Sequence, residues 1–146
     1  MLGNPYLKKV TRVFQDGEVI FEEGSHGDEM YIIHSGAVKL VKRTPEWETV
    51  VATMGPGEFF GEMALVDNAP RSVSAVAAAD HTRVLPLDRD KFLFLVSHQP
   101  AFALNVMHIL CQRIRAMNER LYQLEQSGEN LTGTPGWMQL SRSPKA

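Results

Sequence analysis

Short apolar runs separated by turn residues fill the first part of the chain. Val13-Phe14, Val19-Ile20-Phe21, Met30-Tyr31-Ile32-Ile33, Val38-Lys39-Leu40-Val41 and Thr49-Val50-Val51-Ala52 are rich in β-branched and aromatic residues, which suit a pleated, half-buried surface. Between them lie Asp16-Gly17, Glu23-Gly24-Ser25-His26-Gly27-Asp28 and Ser35-Gly36. Gly and Asp accept the dihedral angles that tight turns need. Pro45-Glu46-Trp47-Glu48 reads as a hairpin tip, and Gly55-Pro56-Gly57 as a turn into Phe59-Phe60. Short strands with such frequent turns predict an antiparallel β-roll or jelly roll.

The pattern then changes. Arg71 to Ala79 alternates like a strand, with Pro70 before it, and His81 to Leu87 reads as another. Asp88 is a good N-cap for a short helix through Lys91-Phe92-Leu93-Phe94-Leu95-Val96. His98-Gln99-Pro100 breaks that helix, and Pro100 suits the first turn of a longer one reaching about Gln126. In the long helix, Ala103, Met107, Leu110, Ile114, Met117, Leu121 and Leu124 recur at alternating steps of four and three. That is a heptad seam, which fits a second copy of the chain or the chain's own core. The expected architecture is mainly β with C-terminal helices: a roll over 10–87 and helices over 88–126. A short segment, 1–9, precedes it. A flexible tail, 127–146, follows, rich in Gly, Pro, Ser and Thr with Trp137-Met138 inside it.

Composition narrows the classes of function. The chain has 146 residues, enough for one domain with a real core. Fifteen Lys and Arg against seventeen Asp and Glu give a net charge of −2, which argues against a broad nucleic-acid footprint. A single cysteine, Cys111, cannot form an internal disulfide, so a reducing compartment, the cytoplasm, is expected. No window has the length of a membrane span, and no membrane partner is expected. The five histidines form no metal-binding pair, no G-x-S-x-G elbow occurs, and there is no Walker loop. The sequence therefore predicts neither a metal site nor an enzyme.

The richest chemistry lies between Gly61 and Ala75. Gly61 precedes the helix-forming Met63-Ala64-Leu65. Exposed N–H groups at a helix start attract anions. Arg71 follows after Pro70 and carries a planar fork of donors that matches a phosphate. Glu62 would repel a phosphate but accepts well from a sugar hydroxyl next to it. The expected ligand is small and joins a phosphate to a free hydroxyl.

Phe60-Gly61-Glu62-Met63-Ala64-Leu65 with Pro70-Arg71-Ser72 resembles the phosphate-binding cassette of cyclic nucleotide-binding domains. The resemblance runs from about Val10 to Gln126 and takes in the turn glycines Gly17, Gly24, Gly27 and Gly36. It implies that the amides of Glu62, Met63 and Ala64, the fork of Arg71 and the hydroxyl of Ser72 hold a cyclic phosphate. Glu62 would take the ribose hydroxyl and Gly61 would allow the close approach. It also implies that the long helix dimerises and closes over the base, with Asn118 as a base contact. Ser72 carries a hydroxyl, as does the Thr that accompanies cGMP in kinase branches. The catabolite-activator branch instead pairs Ser with cAMP, so cAMP is favoured over cGMP. Val73 stands where the family usually has Ala, which leaves a nucleotide-insensitive interaction module as the alternative. About twenty residues follow the long helix, too few for a helix-turn-helix, so no direct DNA binding is expected. The output would pass to an unidentified protein effector through movement of the C-terminal helices.

Overall fold

A computed structural model describes residues 10–127. The segment 1–9 and the tail beyond Ser127, with Trp137 and Met138, lie outside the described residues. The apolar runs become β1 (Arg12–Phe14), β2 (Val19–Phe21), β3 (Glu29–Ser35), β4 (Val38–Arg43), β5 (Glu48–Met54) and β6 (Phe59–Phe60). A short helix, α1 (Glu62–Asp67), leads to β7 (Ser74–Ala77) and β8 (Thr82–Asp88). Two helices follow, α2 (Arg89–His98) and α3 (Pro100–Gln126).

The strands form two four-stranded antiparallel sheets, ordered β1-β8-β3-β6 and β2-β7-β4-β5. Chain neighbours such as β2 and β3 fall in different sheets, as in a jelly roll. Tyr31, Ile33, Phe60 and Val84 of one sheet meet Val38, Met54 and Ala75 of the other in the core. Phe21 joins that core and forms an aromatic trio with Tyr31 and Phe60, their centroids 5.2–6.0 Å apart. Such spacings favour tilted and offset rings.

The run Met30-Tyr31-Ile32-Ile33 is buried at every position. Tyr31 and Ile33 belong to the core cluster. Met30 and Ile32 point to the opposite face, where they pair with Leu87, Leu85 and Phe59, all of them buried. A strand covered on both faces reads as a continuous apolar run rather than an alternating one. On the other sheet, the edge strand β5 leaves Val50 and Val51 exposed.

Local signals explain most boundaries. Thr44 and Trp47 close the β4–β5 hairpin through Thr44 N–H to the Trp47 carbonyl at 2.9 Å. Gly36 has φ 86°, and a Cβ there would run into Thr82, which is fully buried. The Asp88 carboxylate accepts the Lys91 N–H at 2.8 Å and so caps α2 as the sequence predicts. Proline occupies the first turn of α3. One expectation fails: β7 begins at Ser74, not at Arg71. The pairing with β4 ends at Val41 opposite Ser74. Upstream of it, the Arg71 backbone bonds instead to the β2–β3 loop. Its N–H donates to the Ser25 carbonyl at 2.9 Å, and its carbonyl accepts from Gly24 N–H at 2.7 Å.

The chain divides into two units, one running to His98 and one from Gln99. In the second, α3 is 27 residues long, or about 40 Å at the usual rise. Met107, Ile114, Met117 and Leu121 of its seam are exposed, and Ala103, Leu110 and Leu124 are half-buried. Among the described residues no single helix is long and apolar enough to cross a membrane.

Candidate functional site

Arg71 defines the site. It follows Pro70 at the end of the loop after α1, and its backbone is pinned to the β2–β3 loop as described. Only 6% of its surface is exposed. Nη1 donates to the Gly61 carbonyl at 2.9 Å and Nη2 to the Glu29 carbonyl at 2.7 Å. Nε is buried without a hydrogen-bond partner. Both bonds run to neutral carbonyls, so neither neutralises the charge. A buried cation is costly unless an anion or a full set of dipoles meets it.

Gly61 provides the close approach on the helix side. Its φ is 81°, and a Cβ there would lie 2.8 Å from Arg71 Nη1. It caps α1 with no side-chain hydrogen bond. The first N–H groups of a helix lack acceptors within it. Glu62, in the first turn, is half-buried, while Ala64 is buried and Met63 exposed.

These residues border one cavity of about 80 Å³. Six of the seven residues selected from the sequence line it: Gly61, Glu62, Met63, Ala64, Arg71 and Ser72. The seventh, Asn118, is exposed on α3, in the other unit. Val73 also lines the cavity. Sequence reading missed Phe21 and Leu40, which line it from β2 and β4, and the Glu29 carbonyl that holds Arg71. Nothing in the sequence separates Phe21 from other strand aromatics. A backbone carbonyl carries no sequence signal at all.

Beside the cavity, the Glu29 side chain accepts from Arg12 Nη1 and Nη2 at 3.1 and 3.2 Å. Tyr31 Oη donates to the same carboxylate at 3.4 Å. Burial, with the Glu29 charge second, pushes the Tyr31 phenol above its usual range. A larger hollow of about 470 Å³ lies between β8 and α2, walled by Val10, Leu85, Leu87, Phe94 and Leu95. Size would favour it, but its charged residues, Asp90 and Lys91, are exposed. The smaller cavity has the buried cation, which is the stronger mark of a polar ligand. Among the described residues no group of three His, Cys, Asp or Glu is placed to hold a metal.

The cyclic nucleotide-binding domain model matches residues 11–99, and the chain belongs to that family. It is 40% identical over 105 residues to the cyclic AMP receptor protein of Thermus thermophilus, covering 71% of this chain and 48% of that one. It is 35% identical over 112 residues to the CRP-like cAMP-activated global transcriptional regulator of Mycobacterium tuberculosis, covering 76% and 50%. The crystal structure of the Thermus thermophilus catabolite activator protein superposes with a TM-score of 0.69 at 34% identity, over 84% of this chain and 60% of that one. The chain thus spans about half the length of the curated relatives it matches.

Proposed function

We propose that this chain is a cyclic nucleotide sensor: a regulatory binding module, not an enzyme, built on residues 10–126. One observation carries the reading. A guanidinium 6% exposed lies at a cavity wall with its Nε–H unpartnered and its side-chain hydrogen bonds made to neutral carbonyls. A phosphate monoanion completes that environment. The cavity, about 80 Å³, is smaller than the roughly 300–1,000 Å³ of whole-ligand pockets. It suits the cyclic phosphate and adjoining ribose, leaving the base outside. In this reading Arg71, Ser72 and the amides of Glu62, Met63 and Ala64 take the phosphate. Glu62 accepts the ribose hydroxyl, Gly61 permits the approach, and Asn118 contacts the base.

cAMP is favoured over cGMP. Both curated relatives are named for cAMP, and Ser72 suits it. Binding shifts the population of α2 and α3 arrangements and so regulates a protein effector, with the exposed α3 seam as a homodimer interface. In this reading the module works in the cytoplasm. A second reading rests on Val73, whose methyls border the same cavity: the fold would then persist as a nucleotide-insensitive interaction module.

Calorimetric titration of the full chain with cAMP and with cGMP separates the two, alongside melting curves. At a hundred times the dissociation constant, ligand adds about 2.7 kcal/mol of stability. A raised melting temperature and a saturable heat, with the tighter affinity for cAMP, are expected. Neither signal at millimolar nucleotide would replace the sensor with the second reading.

A further inference from the structure

Phe21 ends β2, half-buried, and lies outside both cassette stretches, Phe60–Leu65 and Pro70–Ser72. Its ring centroid is 4.2 Å from Arg71 Cζ, and that of Tyr31 is 5.9 Å away. A guanidinium within about 6 Å of an aromatic centroid is attracted by the negative ring face. The Phe21 ring is itself braced by Tyr31 at 6.0 Å and Phe60 at 5.9 Å. Gly27 leaves room for the same guanidinium: a Cβ there would lie 2.5 Å from Nη2 and 3.0 Å from Cζ and Nε. Phe21 and Arg71 border one cavity.

We infer that Phe21 is a positioning residue for ligand binding. Its ring fixes the plane of the Arg71 guanidinium before any anion arrives. The two carbonyl bonds hold the ends of the fork, and the ring keeps the fork from rotating about them. A long side chain held this way loses little further rotamer freedom when the phosphate binds. The inference rests on Arg71 being the anion-binding residue. It adds a determinant of affinity that makes no polar contact itself. A phenylalanine that merely filled the core would change stability without changing affinity in the folded protein.

The test is site-specific replacement of Phe21 in the full chain by progressively fluorinated phenylalanines, which keep the shape but weaken the negative face. Affinity for cAMP and cGMP is measured by calorimetry, and the unliganded melting temperature is recorded for each variant. A graded loss of affinity reaching about tenfold is expected, and because the ring already meets the guanidinium in the unliganded protein, its melting temperature should fall modestly in step. Phe21→Leu should lose a similar factor. Equal affinity across the series with Arg71 intact overturns the role of Phe21. Full affinity in Arg71→Ala, or no nucleotide binding by the unaltered chain, would instead remove the underlying site.

Discussion

Arg43 and Arg71 sit in opposite surroundings. Arg43 is on the exposed β4–β5 hairpin, where its Nε donates to Glu48 Oε2 at 2.9 Å and its Nη1 lies 3.7 Å from Glu22 Oε2. Lys39 and Lys42 pair nearby with Glu48 and Glu23. Each of these three cations has an acidic partner and water to screen it, so each pair contributes little. Arg71 has the reverse: burial, neutral carbonyls, an unpartnered Nε and an aromatic ring. A cation finished by its own fold is structural, whereas one left electrically incomplete invites an anion from outside. The comparison explains why the hairpin, with more charge, is the less promising place for a ligand.

The largest test of that contrast is Arg71→Ala. Removing the fork leaves a desolvated phosphate unpaired, which costs about 2–5 kcal/mol of binding. Calorimetry should show micromolar affinity, about −8 kcal/mol, vanish from the accessible range while circular dichroism stays native. An unchanged affinity would put the cation on the same footing as Arg43. Next comes Gly61→Ala. A side chain at φ 81° is strained by about 1–2 kcal/mol, and the new Cβ crowds Arg71 Nη1. Denaturant unfolding should show that loss, and nucleotide affinity should fall as well. Wild-type stability together with wild-type affinity would mean the close approach has no role.

The smallest effect belongs to the hairpin. Arg43→Ala should change stability by under about 1 kcal/mol, less at high salt, and leave nucleotide affinity alone. Its pH dependence has a definite sign. The hydrogen bond from Arg43 is the first cause holding the Glu48 carboxyl below its ordinary range. The folded state thus releases that proton more readily than the unfolded chain does. The contribution is present above the ordinary carboxylate range and fades as pH falls through the folded value. Acid titration of the melting temperature, compared between wild type and Arg43→Ala, checks it. Curves that diverge as pH falls, rather than converge, would contradict the assignment.

Much of the fold was legible because its signals are local. β-branched runs became strands where the sequence put them, Asp88 capped its helix, and Pro100 opened α3. The meeting of Gly61 and Arg71 was legible too, since they are only ten positions apart and bond directly. Other features depend on contacts between distant residues. Arg71 and Glu29 are 42 positions apart, and no periodicity links them. Arg71 reads as the head of a strand, yet its backbone bonds to Gly24 and Ser25 release it from β7.

The sequence by itself determined the element types and which side chains carry charge and donors in the Gly61–Ser72 stretch, because these follow from side-chain chemistry and short spacing. The tertiary structure alone decided which strands are neighbours, which carbonyls hold the guanidinium and which aromatic ring lies against it. Those choices arise when two sheets close over one core. Only that closure removes water from Arg71 and brings Phe21 within 4.2 Å of its charge.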